Sequence, residues 1–99
     1  MNKQIERDIE EAFVLYAKTC CVDAIKFIDP SDTGAPDRMC LWPPGKIIFI
    51  EFKKPNELAS PKQLQYHKRL KNLGFNVYVC DSLDKAIKVL NNAVQCLTR

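Results

Sequence analysis

One strand and the connections on either side of it constrain the fold of this chain more than any other feature. Residues 47–53 are dominated by β-branched and aromatic side chains, which favours a strand. A Pro-Pro-Gly turn at 43–45 precedes this strand. A helix with Ser60 as its N-cap and Gly74 just past its end follows it, and residues 75–80 form a further strand. The turn predicts an antiparallel hairpin, and the strand, helix and strand predict a right-handed parallel crossover, so the sheet should be mixed.

The remaining segments add two helices and two strands. Apolar residues recur at three- and four-residue spacing over 3–19, which predicts a helix. Residues 22–28 and 37–42 are predicted strands, separated by the turn-forming residues 29–34. A last helix should run from about residue 83 to 91. The predicted class is α/β, a mixed sheet flanked by helices in the order α-β-β-β-α-β-α.

Length and composition describe one domain. With 99 residues, 46% of them hydrophobic and 27% charged, the chain can bury one core but not two, so we expect a single domain over residues 1–99. The longest apolar run, 47–50, is far shorter than the roughly 20 residues of a membrane-spanning helix, and the charged N-terminus is unlike a secretory signal. We therefore expect no membrane association and a cytoplasmic protein.

The cysteines form neither a metal pattern nor a disulfide pattern. Their number is odd, two of them are adjacent, and none belongs to a C-x-x-C pair. The single histidine, His67, has no recognisable spacing to them. We expect reduced thiols and no structural zinc site. The cysteines are Cys20, Cys21, Cys40, Cys80 and Cys96.

Positive charge is mild overall but concentrated locally. The formal net charge of +3 excludes no class of partner. Six cations fall in one short stretch, which makes the middle of the chain the predicted surface for a polyanion. Solvated faces of a helix and a strand explain the same run equally well. The six are Lys53, Lys54, Lys62, Lys68, Arg69 and Lys71.

Two charged side chains interrupt the apolar strand and should point in the same direction. Because side chains alternate along a strand, Glu51 and Lys53 share one face, and their apolar neighbours share the other. If the hairpin closes near residues 43–46, Asp37 lies opposite the Glu51 region. The alternative is an exposed pair on an edge strand, with Asp37 as an ordinary turn residue.

Two carboxylates and a lysine in this arrangement suit phosphodiester hydrolysis. Asp37 and Glu51 could hold Mg²⁺ or Mn²⁺, with the backbone carbonyl of Phe52 as a third ligand, because these hard cations prefer oxygen. The metal would polarise the phosphate and lower the pKa of its bound water. Lys53 could orient or deprotonate that water or stabilise the transition state, and the sequence leaves these roles open.

Four short motifs occur in a specific order along the chain. They are Gly34-Ala35-Pro36-Asp37-Arg38, Glu51-Phe52-Lys53, Ser60-Pro61-Lys62-Gln63 and Leu73-Gly74-Phe75-Asn76-Val77. The series resembles the VRR-NUC (virus-type replication-repair nuclease) branch of the PD-(D/E)XK nucleases, whose signature runs G-x-PDR, E-(L/F)-K, S-x-x-Q and then a glycine before the last core strand. The resemblance covers about residues 6–81, nearly the whole chain.

This resemblance implies a fold and a set of site residues. The fold would be the restriction-endonuclease-like core, which is consistent with the predicted order of elements. Asp37 and Glu51 would be metal ligands, Lys53 the catalytic lysine, and Gln63 would line the site from its helix. A plain surface position is an equally good prediction for Gln63, because glutamine is common on exposed helical faces.

The family also places a glutamate of the first helix near the metal, and three glutamates compete for that role. At about 100° per residue, Glu6 lies roughly 60° from the centre of the apolar stripe, Glu10 about 100°, and Glu11 on the far side. Glu6 is therefore the predicted ligand, and Glu10 is the remaining alternative. Residues 6–9 also resemble the helix start of archaeal Holliday-junction resolvases.

Several further side chains are candidates for contact with DNA. Trp42 could stack on a base and His67 could approach the phosphate, but packing inside the protein or at a dimer contact is the expectation for Trp42, and packing for His67. Lys26 could face the DNA or cap its strand, and the cap is slightly favoured. The predicted DNA contacts are Arg38, Lys54, Lys62 and Lys26.

The predicted function follows from the resemblance and from the size of the chain. A lone domain offers one active site, so cutting two strands would need two copies. We expect a homodimer that cleaves branched DNA, with Holliday junctions as the leading substrate, in replication, recombination or repair. The alternatives are an exonuclease or flap nuclease, a non-catalytic nucleic-acid-binding module of the same fold, and a protein-interaction subunit. The family name favours a viral source, which implies the cytoplasm of a bacterial host.

Overall fold

A computed structural model of the protein describes residues 2–95, with side chains from 5 to 94. The elements follow the predicted order α-β-β-β-α-β-α. Cys96, one of the predicted free thiols, lies outside the described residues. Within the described range, no helix is long and apolar enough to cross a membrane.

The elements are α1 (Asn2–Thr19), β1 (Asp23–Lys26), β2 (Arg38–Trp42), β3 (Lys46–Phe52), α2 (Pro61–Asn72), β4 (Asn76–Cys80) and α3 (Leu83–Gln95).

The four strands form one mixed sheet in the order β1-β2-β3-β4. β2 and β3 pair as the predicted antiparallel hairpin, and Trp42 lies opposite Lys46. Between them, Gly45 has a φ of 65°, a left-handed conformation that glycine adopts without steric cost. β3 and β4 are connected through α2 and pair in parallel. The predicted mixed sheet is therefore confirmed, and β3 is an inner strand.

Helices cover both faces of this sheet. On one face, Ile50 and Phe52 of β3 belong to a buried cluster with Phe13 of α1. On the other face, Phe49 packs in a second cluster with Tyr66 of α2. Each large apolar side chain that is fully buried contributes roughly 1.5–3 kcal/mol to folding. Because both faces are covered, β3 is apolar along almost its whole length.

Two element ends differ from the predictions. β1 ends at Lys26 rather than near residue 28, because its partner β2 begins at Arg38 and these two residues pair with each other. α3 continues to Gln95 rather than ending near Asn91, because Ala93 still packs against the core of the molecule. In both cases a contact with a distant element determines the boundary.

Both ends of α2 are fixed by the caps that the sequence predicted. The Ser60 hydroxyl accepts from the Gln63 N–H at 3.2 Å, and the Gln63 side chain accepts from the Ser60 N–H at 2.9 Å, which forms a capping box. At the other end, Gly74 has a φ of 98° and donates its N–H to the Lys71 carbonyl at 3.0 Å. These bonds set where α2 starts and how the chain enters β4.

Candidate metal centre

Three carboxylates from distant parts of the chain converge at one end of the sheet. Glu6 lies in α1, Asp37 directly precedes β2, and Glu51 is near the end of β3. Each offers an oxygen atom, and these oxygen atoms lie within 4.8 Å of one another. Negative charges this close repel each other, so the cluster favours a bound cation.

The sheet sets the position of Asp37. The register of β2 and β3 pairs Arg38 with Ile50, which brings Asp37 opposite Glu51, as the sequence predicted. Oδ2 of Asp37 accepts a hydrogen bond from the Phe52 N–H at 2.8 Å. Burial raises the pKa of Asp37, and the hydrogen bond from Phe52 opposes that rise. The strand pair thus anchors one oxygen of Asp37 and keeps the carboxyl group beside Glu51.

Glu51 is almost completely buried and only half satisfied. The residue is 2% exposed. Its Oε2 accepts a hydrogen bond from Gln63 Nε2 at 3.0 Å, and Lys53 Nζ lies 3.6 Å from the same atom. Its Oε1 is buried and has no hydrogen-bond partner among the described residues. Burial, and then the charge of Asp37, raise the pKa of Glu51 to about 8. An unpartnered carboxylate oxygen in this position is costly unless a cation binds there.

The alternative of an exposed pair on an edge strand is wrong. β3 lies between β2 and β4, and Lys53 is only 9% exposed. Lys53 comes directly after β3, and its backbone N–H donates to the Cys80 carbonyl at 2.9 Å. Lys53 and Glu51 therefore lie together on one face, buried at the end of an inner strand.

Among the three glutamates of α1, only Glu6 joins the cluster. Glu10 is instead paired with Arg38, whose Nε donates to Glu10 Oε2 at 2.7 Å, and with Lys26, whose Nζ lies 3.9 Å from the same oxygen. Glu11 is exposed. Burial raises the pKa of Glu6, and the nearby Lys53 opposes that rise. The structure thus brings Glu6, the glutamate that the helical geometry favoured, next to Asp37 and Glu51. Glu10 already has two counter-ions, Arg38 and Lys26.

The donor set fits a hard divalent cation. The candidate ligand atoms are carboxylate oxygens, which Mg²⁺ and Mn²⁺ prefer. Burial is the largest cause of the raised pKa values of Glu6, Asp37 and Glu51, and Oε1 of Glu51 is buried without a partner among the described residues. A bound cation would stabilise the ionised form of such a cluster. The backbone carbonyl of Phe52 as an additional ligand stays a prediction.

A cavity of about 360 Å³ opens beside the cluster, and two of the predicted DNA contacts line it. Lys26 ends β1, and its side chain is largely exposed. The side chain of Arg38 is only 15% exposed and is held by Glu10 and by the Ala24 carbonyl, to which it donates at 3.1 Å. A contact between Arg38 and DNA stays a prediction, and the structure gives Arg38 a second role in neutralising Glu10.

Two of the six cations in the run have partners within the protein. Lys53 is buried in the site, and the guanidinium of Arg69 lies over the Tyr66 ring, 4.4 Å from its centre and within 3.9 Å of two aspartates. Lys62 is exposed at the start of α2, and Lys54 is half-buried between β3 and α2. Lys62 and Lys54 do not line the cavity, and their contacts with DNA stay predictions.

Trp42 and His67, two aromatic side chains that were weaker candidates for contact with DNA, are buried. Trp42 is 8% exposed and belongs to the core cluster, so stacking on a base would require it to leave the core. His67 is 3% exposed, and burial lowers its pKa. Packing inside the protein, the expectation for both residues, agrees with these positions.

Sequence reasoning missed the contacts that hold α2 against the loop before Asp37. Tyr66 donates its hydroxyl hydrogen to Asp29 at 2.8 Å. Gly34 lies so close to α2 that a Cβ atom there would be 2.6 Å from the Lys62 carbonyl oxygen. No local sequence pattern indicates these contacts, because they join residues that are far apart in the chain. The role of Gln63 in the cap was detectable from the sequence, since S-x-x-Q is a capping-box pattern.

Comparison with known proteins finds relatives along most of the chain. The VRR-NUC domain family matches residues 3–84, a range that includes all three carboxylates. The protein named "Putative nuclease p44" of Acyrthosiphon pisum secondary endosymbiont phage 1 is 44% identical over 79 residues, 80% of this chain and 85% of that protein. A solved structure described as a VRR_NUC domain superposes with a TM-score of 0.81 at 27% identity, covering 88% of this chain and 95% of the other.

Proposed function

This chain belongs to the VRR-NUC domain family, and from that premise we propose that it is a metal-dependent deoxyribonuclease of the PD-(D/E)XK type. One observation carries the proposal: Glu6, Asp37 and Glu51 offer oxygens within 4.8 Å of one another, beside a buried lysine. The name of the phage relative supports the same activity. Its phage origin also supports action in the cytoplasm of a bacterial host.

In the proposed mechanism, Glu6, Asp37 and Glu51 would hold Mg²⁺ or Mn²⁺. Such an ion would supply Lewis-acid chemistry and an activated water for attack on the phosphate. Lys53, whose Nζ lies 3.6 Å from Oε2 of Glu51, would contact the reacting phosphate and stabilise the negative charge that develops there. Because Glu51 and Lys53 are buried, bulk water screens these interactions little.

We further propose that the substrate is branched DNA and that the active form is a homodimer. The support is the single carboxylate cluster in the described residues, since two symmetric cuts would then need two copies. Holliday junctions are the leading substrate, and cleavage of free ends or flaps is the second candidate.

The test is cleavage of end-labelled DNA in Mg²⁺ or Mn²⁺, with four-way junction, flap, duplex and single-stranded substrates compared. Paired symmetric nicks at the junction support resolution, and products released only from free ends indicate an exonuclease. Lys53→Ala should abolish cleavage and keep DNA binding, and Lys88→Ala, at an exposed position of α3, is the matched control. Full activity of Lys53→Ala would remove Lys53 from the mechanism.

The same assay separates the non-catalytic alternatives. A binding module of this fold would retain DNA in a gel-shift experiment and cut none of the substrates with either metal. A protein-interaction subunit would show neither cleavage nor a change of Tm on adding Mn²⁺, because it would have no ion to bind.

A further inference from the structure

Gln63 is bonded at both ends of its side-chain amide. Its Oε1 accepts from the Ser60 N–H at 2.9 Å, and its Nε2 donates to Glu51 Oε2 at 3.0 Å. The first bond belongs to the capping box of α2, and the second reaches the carboxylate cluster. One side chain therefore joins the start of a helix to the candidate metal centre.

The helix cap fixes the direction in which this amide points. A backbone N–H can only donate, so the Gln63 oxygen has to face Ser60. The amide NH₂ group is then forced towards Glu51. The reverse orientation would set an NH₂ group against the Ser60 N–H and an oxygen against the Glu51 carboxylate, and both contacts would repel.

The two oxygens of Glu51 are made unequal by this bond. Oε2 accepts from Gln63 and lies 3.6 Å from Lys53, whereas Oε1 is buried without a partner among the described residues. We propose that Gln63 is a positioning residue that selects Oε1 of Glu51 as the metal-facing oxygen, and that the capping box of α2 holds Gln63 in the required orientation. The inference rests on the proposed metal-dependent function.

The attachment of α2 to the rest of the site supports this assignment. The helix is fixed against the loop before Asp37 by the hydrogen bond from Tyr66 to Asp29 and by the close approach of Gly34 to the Lys62 carbonyl. The helix that carries Gln63 is thus packed on the loop that leads into Asp37, a second proposed metal ligand.

The test compares two variants by calorimetric titration with Mn²⁺ and by thermal unfolding without metal. Gln63→Met keeps the length of the side chain and removes the donor to Glu51. Ser82→Ala removes a capping bond of α3, in which the Ser82 hydroxyl accepts from the Lys85 N–H at 3.2 Å. Both variants should have a lower Tm, because each loses part of a cap. Only Gln63→Met should bind Mn²⁺ more weakly, by about 10- to 100-fold, as expected when a group that orients a metal ligand is lost.

Two outcomes of the titration would overturn the inference. Unchanged Mn²⁺ affinity in Gln63→Met would show that the amide has no role beyond the cap, and equal losses in both variants would show that affinity only follows stability. If the wild-type protein binds no Mn²⁺, the proposed function itself fails, which separates that failure from the failure of this inference.

A second measurement needs no variant. The side-chain NH₂ group of Gln63 should exchange with solvent more slowly than that of Gln65, which is exposed on the same helix, when both are followed by NMR in the metal-free protein. Equal exchange of the two groups would overturn the inference, because the bond from Gln63 to Glu51 would then not persist in solution.

Discussion

Two acidic groups that contact α2 have contrasting surroundings. The carboxylate of Asp29 accepts hydrogen bonds from the N–H and hydroxyl of Ser31 and from the Tyr66 hydroxyl, and Arg69 lies 3.8 Å away. These hydrogen bonds, those from Ser31 first, lower the pKa of Asp29. Glu51 has one bonded oxygen and one buried oxygen without a partner, and burial raises its pKa to about 8.

This contrast supports a division between an acid with a structural role and the acids that we propose bind a metal ion. Asp29 has partners that stabilise its charge, so it can hold the loop against α2 without any ligand. Glu51 instead lies within 4.8 Å of oxygens of Asp37 and Glu6, and its Oε1 is buried without a partner among the described residues. A buried carboxyl group with a raised pKa in a cluster of like charges is characteristic of a functional site.

The largest expected effect comes from Glu51→Gln. Cleavage of DNA in Mg²⁺ should fall by at least about a hundredfold, the scale seen when one electrostatic group of an active site is removed. The metal-free variant should unfold at the same Tm as the wild type or at a higher one, because an amide replaces a buried carboxyl group that is only half satisfied. Cleavage assays and thermal unfolding in EDTA measure the two effects. A clear fall of the metal-free Tm would mean that Glu51 is a structural acid like Asp29.

A smaller effect is the pH dependence of stability in the absence of metal. The pKa of Glu51 rises from 4.5 to about 8 on folding, so its contribution to stability is present below pH 4.5 and is lost as the pH rises through about 8. The pKa of Asp29 falls from 3.8, so its contribution is present above pH 3.8 and is lost as the pH falls through the lowered value.

Denaturant unfolding in EDTA at several pH values checks these opposite slopes. The free energy of unfolding should decline between about pH 5 and pH 8, and Glu51→Gln should remove most of that decline. The same decline in wild type and variant would contradict the assignment of the slope to Glu51.

The smallest expected effect comes from Asp29→Asn. The asparagine keeps an acceptor for Tyr66 but loses the charge that attracts Arg69, so the Tm should fall slightly. Cleavage in Mg²⁺ should stay at the wild-type level, because the carboxylate cluster is unchanged. A loss of cleavage comparable to that of Glu51→Gln would break the division between the two acidic groups.

Local signals in the sequence predicted much of the fold and the centre of the site. The caps at Ser60 and Gly74 bound α2, and the Pro-Pro-Gly turn gave the hairpin that brings Asp37 opposite Glu51. Each of these features depends on neighbouring residues or on the alternation of a single strand. The choice of Glu6 over Glu10 followed from helical geometry for the same reason.

Features that depend on distant residues were not predictable. Arg38, a predicted DNA contact, is bound to Glu10, 28 positions away, and Arg69, one of the run of six cations, is paired with Asp29. The length of β1 is set by where its partner strand begins. The tertiary structure determines which acidic side chain pairs with a given arginine and where a paired strand ends. A short sequence pattern contains neither piece of information.

The central claim is that Glu6, Asp37 and Glu51 share one divalent cation. A crystal soaked in Mn²⁺ and measured for anomalous scattering tests it most directly. The account predicts an anomalous peak bound by oxygens of all three carboxylates, including Oε1 of Glu51. A peak elsewhere, or an empty cluster at a Mn²⁺ concentration that supports cleavage, would contradict it.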